Sequence, residues 1–261
     1  MIEEALERVR SRSMAMHNSA ELEQVIKVLT DQLSLLGFHF HTANFITNES
    51  MPDWEIWISS PGLKMPPKIH VPYIDHPLFN ERNNDLLKGR DMITAVLDKK
   101  EKNRFFRHMF TNTAASSTPE ERKAWVLDQR GIAITTVLMK TISLSVLNYD
   151  AIPYTAGENE VIKRMARVFE QSYTRFLDLK KAEAQAREAQ IELSLERVRA
   201  RTMAMHKSEE LVDTSVILFQ ELRALGVKAI RTGVAIIDDE KEIMELWSSQ
   251  LIEQKQNKVL G

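Results

Sequence analysis

Seven histidines and a complete absence of cysteine bound the chemistry this chain can hold. His39 and His41 alternate along one segment and share a face if that segment is a strand. With His70 and His76 they could be drawn as imidazole ligands for a zinc-type ion. The more ordinary role for such residues beside Phe38 and Phe40 is hydrogen bonding in a pocket wall or at the surface, and no metal site is expected. His17 and His206 lie in a repeated Met-Ala-Met-His. Neither is followed by the acidic residue and arginine of a phosphoacceptor, and a helix C-terminus favours histidine through the macrodipole. Asp98 and Glu101 sit among Lys99, Lys100 and Arg104, a charge run of the solvated kind, with no carboxylate pair spaced for acid and base duties. Missing cysteine removes thiolate metal sites, disulfides, cysteine nucleophiles and thioether-linked chromophores. With no catalytic constellation, a non-enzyme is expected. What remains is recognition: His39, His41, Trp57, His70, Tyr73 and His76 are the candidate lining of a small-molecule pocket, and the sequence leaves any cofactor unknown.

The partners allowed are narrow. The chain has 261 residues, 43% hydrophobic and 28% charged, enough for one sizeable core and something smaller. Its formal net charge of -2 is made of interspersed acids and bases, so no one-sided positive field invites nucleic acid or anionic lipid. No apolar run has the length to cross a bilayer, and the charged, helical start at Met-Ile-Glu-Glu-Ala does not read as a signal sequence. A cytoplasmic protein is expected.

Self-comparison then shows what must position these residues. Leu6 to Leu22 (LERVRSRSMAMHNSAEL) returns as Leu195 to Leu211 (LERVRARTMAMHKSEEL) with only four substitutions. The spacing persists without a gap, because Leu33, Leu36 and Gly37 answer to Leu222, Leu225 and Gly226, and Ser59-Ser60 to Ser248-Ser249. An offset of 189 (195 minus 6) is far longer than a solenoid repeat, so a whole domain with its leading helix has been copied. The second copy holds the leading helix, one domain helix and a strand pair, and is expected to be poorly ordered or to borrow structure from a second chain.

Within the first copy, Leu22, Val25, Ile26, Leu29, Leu33 and Leu36 have helical spacing, with Asn18 and Glu21 as a capping box and Gly37 as the end. Strands are predicted over 38–47 and 54–59, placing Trp54 and Trp57 on opposite faces, and near 69–73, where Pro72 demands an edge. Pro77 opens a helix that Gly89 closes; a strand over 91–98 and a helix over 101–110 follow. Residues 111–117 read as a mobile loop. Thr118-Pro119-Glu120-Glu121 reads as a capped helix start, and 132–138 and 141–148 as the central antiparallel pair. The expected fold class is α+β, an antiparallel sheet flanked by helices.

From Glu158 to Leu225 there is neither glycine nor proline, which predicts one long helix beginning at the capping box Thr155/Glu158. Ile162, Met165, Ala166, Phe169, Tyr173 and Phe176 form a stripe broad enough to pack on the sheet. Beyond it, Leu177, Ala184, Ile191, Val198 and Met205 recur every seventh residue, with Leu195 beside them. So narrow a seam is covered only by a partner helix, which predicts a homodimer. Lys181 and Glu188 interrupt the complementary positions, so a marginal, register-sensitive coiled coil is expected; Ile2, Val9 and Met16 repeat the pattern at the start. The domain reading is a partial signalling helix over 1–17, a sensor domain over 18–177, a coiled-coil helix over 178–207 and the start of a second sensor domain over 208–261.

This order of elements resembles a GAF domain. Residues 167–192 (RVFEQSYTRFLDLKKAEAQAREAQIE), with LERVRARTMAMH after them, are similar to the linkers joining GAF-like domains in large sensor histidine kinases of Bacteroidetes-type bacteria. The resemblance implies a sensory input module of a two-component system, with an unidentified small-molecule ligand and a kinase domain downstream. The chain departs from a kinase in lacking the His-Glu phosphoacceptor box, the asparagine box and the glycine-rich ATP lid. It also lacks the NKFDE-type pattern of cyclic-nucleotide GAF domains, Asn44 to Glu49 (NFITNE) being the nearest string. A ligand-free scaffold or protein-interaction module is the alternative function.

Overall fold

In a computed structural model, residues 1–228, 230–238 and 243–250 are described. The chain divides into two compact units, Met1–Lys180 and Lys181–Gly261.

The first unit is built on six antiparallel strands in the order β3-β2-β1-β6-β5-β4. They are β1 (Thr42–Thr47), β2 (Trp54–Ser59), β3 (Lys68–Val71), β4 (Met92–Asp98), β5 (Gly131–Leu138) and β6 (Ile142–Asn148). β3 is an edge strand that stops before Pro72, which has no amide to donate. The centre belongs to β1 and β6, paired from Thr42↔Leu147 to Thr47↔Ile142; β5, expected at the centre, is second from an edge. This is the expected α+β arrangement, an antiparallel sheet flanked by helices.

One face of the sheet is covered by α1 (Ile2–Met14), α2 (Leu22–Leu35) and the beginning of α6 (Ala156–Met203). Alternation along β1 drives Ala43 and Phe45 to this side, where the Phe45 ring lies 4.4 Å from that of Phe169. The other face is covered by α3 (Pro77–Leu87), α4 (Lys99–Asn112) and α5 (Glu120–Asp128), with Ile46, Trp54 and Leu147 in that second core. Trp57 packs on the α6 side and Trp54 opposite, as period-two alternation requires.

Local signals explain most boundaries, and four expectations are corrected. Gly37 closes the turn after α2 at a φ of 82°, the left-handed region that favours glycine. Thr155 and Glu158 form a reciprocal cap, the Thr155 amide donating to Glu158 Oε2 at 2.7 Å and the Glu158 amide to Thr155 Oγ1 at 3.3 Å. In contrast, Glu21 accepts from the His17 amide, and a 3₁₀ turn over Ser19–Glu21 intervenes before α2. Pro119 is the N-cap of α5 and no side chain caps that helix, so the Thr118 box does not form. The stretch 111–117, read as a mobile loop, completes α4 and forms a 3₁₀ turn, Ala114–Ser117, whose Ala115 amide donates to Thr113 Oγ1 at 3.0 Å. Ile2, Val9 and Met16, read as a continuing seam, belong to this unit's own core, Val9 and Met16 at 0% exposure and Ile2 packed against it, with Leu6 beside them.

α6 runs unbroken for 48 residues, as the absence of helix breakers predicts. In the second unit, α7 (Leu211–Ala224) is followed by the hairpin β7 (Arg231–Asp238) and β8 (Ile243–Gln250). Each element stands 189 residues after its counterpart: 211 minus 22, 231 minus 42, 243 minus 54. The copy extends to single contacts. Arg12 bonds Glu21 at 2.7 Å, and Arg201 approaches Glu210 at 3.8 Å and Asp213 at 2.5 Å; Gly226 repeats Gly37 with a φ of 85°. Residues 251–261 lie outside those described.

Candidate functional site

Between the sheet and the α3–α4–α5 layer lies a cavity of about 210 Å³. Its floor alternates out of the strands: Asn44 and Ile46 from β1, Trp54 and Ile56 from β2, Ser145 and Leu147 from β6. The roof is apolar and aromatic, with Leu78 from α3 and Phe105, Phe106, Met109 and Phe110 from α4. Those four α4 residues fall at one- and three-residue steps and so share one stripe of the helix. The 3₁₀ turn contributes Ala115 and α5 contributes Val126.

Against this apolar lining stands Arg82, only 3% exposed. Leu78, Phe79, Arg82 and Asn83 recur at helical spacing, which turns the guanidinium inward with the apolar face of α3. Its NH1 donates to Asn83 Oδ1 at 3.1 Å, and its NH2 to Asn48 Oδ1 at 2.5 Å and Ser143 Oγ at 3.2 Å. All these acceptors are neutral, and among the described residues no carboxylate forms an ion pair with it. Burial draws its pKa down to about 10, which leaves it protonated at neutral pH. Arg82 Nε has no partner, nor have Trp54 Nε1 and Asn44 Oδ1; all three are buried atoms of residues that line the cavity. The Arg82 guanidinium carbon is 5.7 Å from the centre of the Trp54 ring. Tyr149 also lines the cavity, and burial raises its phenol far above the ordinary range, so its hydroxyl stays protonated.

None of His39, His41, Trp57, His70, Tyr73 and His76 lines this cavity. His39 and His41 do share a site, with Asp150 as their third member: His39 Nε2 is 2.5 Å from Asp150 Oδ2. That trio has the donor types of a metal site, but His41 Nδ1 accepts from the Tyr149 amide at 3.2 Å. In the neutral ring the proton then resides on Nε2, so neither nitrogen offers a free lone pair. Burial lowers the His41 pKa and favours that neutral form. His70 lies on edge strand β3 between Glu55 and Asp53, at 2.9 and 3.2 Å. Tyr73 is half-exposed, its hydroxyl bonded to Asn80. His76 is fully buried as the N-cap of α3. Trp57 serves the α6-side core, between Tyr173 and Phe176.

Arg82 and Asn44 were not singled out in the sequence. Arg82 stands in the polar run Asn-Glu-Arg-Asn-Asn-Asp, where a cation ordinarily reads as solvated. The available signal was its place three and four residues after Phe79 and Leu78.

No protein-family model matches the chain, and no curated protein matches it. Among solved structures, the chain is similar to a bacteriophytochrome of the photosynthetic bacterium R. palustris, at 10% identity and a TM-score of 0.48. That likeness covers 96% of this chain and 50% of the other, so the chain spans about half the bacteriophytochrome's length. It is similar to the phycoerythrobilin-bound GAF domain of a cyanobacterial phytochrome at 14% identity and a TM-score of 0.40, covering 67% of this chain and 97% of that one. A methyl-accepting chemotaxis protein, residues 122 to 287, gives 12% identity and a TM-score of 0.36, covering 66% and 98%.

Proposed function

We propose that the chain is a non-catalytic sensory module of a cytoplasmic signalling protein. In this reading a small molecule enters the cavity and alters how α1, α2 and α6 pack on the opposite face of the sheet. The observation that carries the reading is the cavity itself, with three buried polar atoms left without partners. Unsatisfied buried groups cost stability, roughly 1–3 kcal/mol each, and a ligand that bonded them would recover part of that cost. The sheet is one residue thick: Asn44 and Ile46 line the cavity while Phe45 between them touches Phe169 of α6. A shift of β1 therefore reaches α6 without intermediaries.

Output runs along α6, whose seam pairs with a second copy, and passes to a histidine-kinase domain of a two-component system. Residues Lys181–Gln190 are exposed on every side. A helix of this kind gains no support from its own unit's core, which favours a partner helix over Ala184; Leu177 packs against the first unit's core. Ile191, Leu195, Val198 and Met205 carry a different reading, because their counterparts Ile2, Leu6, Val9 and Met16 lie in or against the core of the first unit. We place them in the corresponding core of the second domain.

Thermal-shift screening with small metabolites tests the cavity, using Ala115→Phe as the control. Ala115 lines the cavity at its 3₁₀ wall, so a phenyl group there fills the space. A stabiliser that acts on the native chain and not on Ala115→Phe is expected. Stabilisers that act equally on both, or none at all, would return the domain to the ligand-free scaffold reading.

A further inference from the structure

We infer that the cavity selects a small aromatic carboxylate, its ring among the α4 phenylalanines and its carboxylate against Arg82 and Trp54. This rests on the reading of the cavity as a ligand site and adds the chemical class. Three observations converge on it.

The first is charge. Arg82 is buried and protonated, and every acceptor it meets is neutral. Such bonds satisfy N–H groups without cancelling the charge, and an uncompensated buried charge is disfavoured. An anion is the ligand that removes this imbalance; a cation adds to it. The second is the unpaired donor set. Arg82 Nε–H and Trp54 Nε1–H both lack acceptors, and a carboxylate presents two oxygens that can each accept. The third is shape. About 210 Å³ is below the roughly 300–1,000 Å³ typical of drug-sized ligands and matches a single ring with a short substituent better than a bilin or a nucleotide. Phe105, Phe106 and Phe110 supply ring faces and edges suited to an aromatic body. Asn44 Oδ1, the remaining unpaired atom, would accept from a hydroxyl on that ring.

The test compares benzoate with benzamide on the full chain. The two share shape and differ in charge. By isothermal titration benzoate is expected to bind at least about tenfold tighter, equivalent to about 1.4 kcal/mol. Trp54→Phe removes one donor and leaves the Arg82 bonds and the aromatic packing in place. It should weaken benzoate severalfold and benzamide by less, since the neutral carbonyl oxygen accepts a weaker bond from the same donor, with the fold confirmed by circular dichroism. Arg82→Lys should weaken benzoate further, through loss of the planar fork. Because Arg82 also ties α3 to Asn48 and Ser143, the Trp54 variant decides the matter if the Arg82 variant unfolds. Equal binding of benzamide and benzoate would overturn the carboxylate class and leave the ligand-cavity reading intact. Binding of neither would also overturn the class, and the metabolite screen against Ala115→Phe would then decide separately whether the cavity is a site at all.

Discussion

A histidine with a wholly buried ring and both nitrogens bonded is tied to one protonation state. His76 is 0% exposed; its Nδ1 accepts the Leu78 amide at the start of α3, and its Nε2 donates to the Glu101 carbonyl at 3.0 Å. Burial is the main cause that lowers its pKa, with the Arg104 charge acting the same way and Glu101 and Asp75 opposing. The unfolded chain thus binds a proton that the folded chain refuses. Stability from this residue is present above the ordinary histidine value of about 6.5 and is lost as pH falls below it toward the lowered folded pKa. Asparagine supplies the same cap acceptor without a titratable ring, so His76→Asn should flatten the decline of the urea midpoint between about pH 6.5 and 5. An unchanged slope would assign the acid sensitivity elsewhere, His41 being the other histidine whose pKa burial lowers. At this scale the sequence was legible where alternation alone decides, as for Trp54 and Trp57. It was opaque where a side chain's partners come from distant strands. Arg82 is held by Asn48, 34 residues away, and Ser143, 61 residues away, and nothing local announces either.

Elements were more legible than residues because their signals are local. The glycines after α2 and α3, the proline at the first position of α3 and the Thr155/Glu158 cap mark boundaries that the structure keeps. The missing Thr118 cap and the 3₁₀ turn at Ala114–Ser117 show where tertiary packing overrode a short motif. That turn is drawn against the cavity through Ala115. α1 is the larger lesson. Periodicity finds its stripe of Ile2, Val9 and Met16, but not whether another chain or the same unit covers it, and α1 packs on α2 in its own unit. The same ambiguity governs α6, and the repeat resolves half of it. Pairing is expected to depend on the helix around Ala184, so the variant Ala184→Asp should have half the mass of the native chain in light scattering. A native chain that already runs as a monomer would remove the seam from the account.

For the whole molecule, the internal copy and the two-sided sheet together make the functional claim. One face of the first unit encloses a cavity and the other carries the helix that continues into Lys181 and beyond. The repeat was visible in the sequence because it is written in identical residues. The cavity was not, because an enclosed volume is a property of packing among α3, α4, α5 and the sheet. No helix among the described residues is long and apolar enough to cross a membrane. Hydrogen–deuterium exchange of the full chain, with and without saturating benzoate, tests whether occupancy of the cavity reaches the exit helix. The account predicts slower exchange in Phe105–Phe110 together with a changed rate in α6 between Ile162 and Phe176. Protection confined to α4, with α6 exchanging identically in both states, would contradict it.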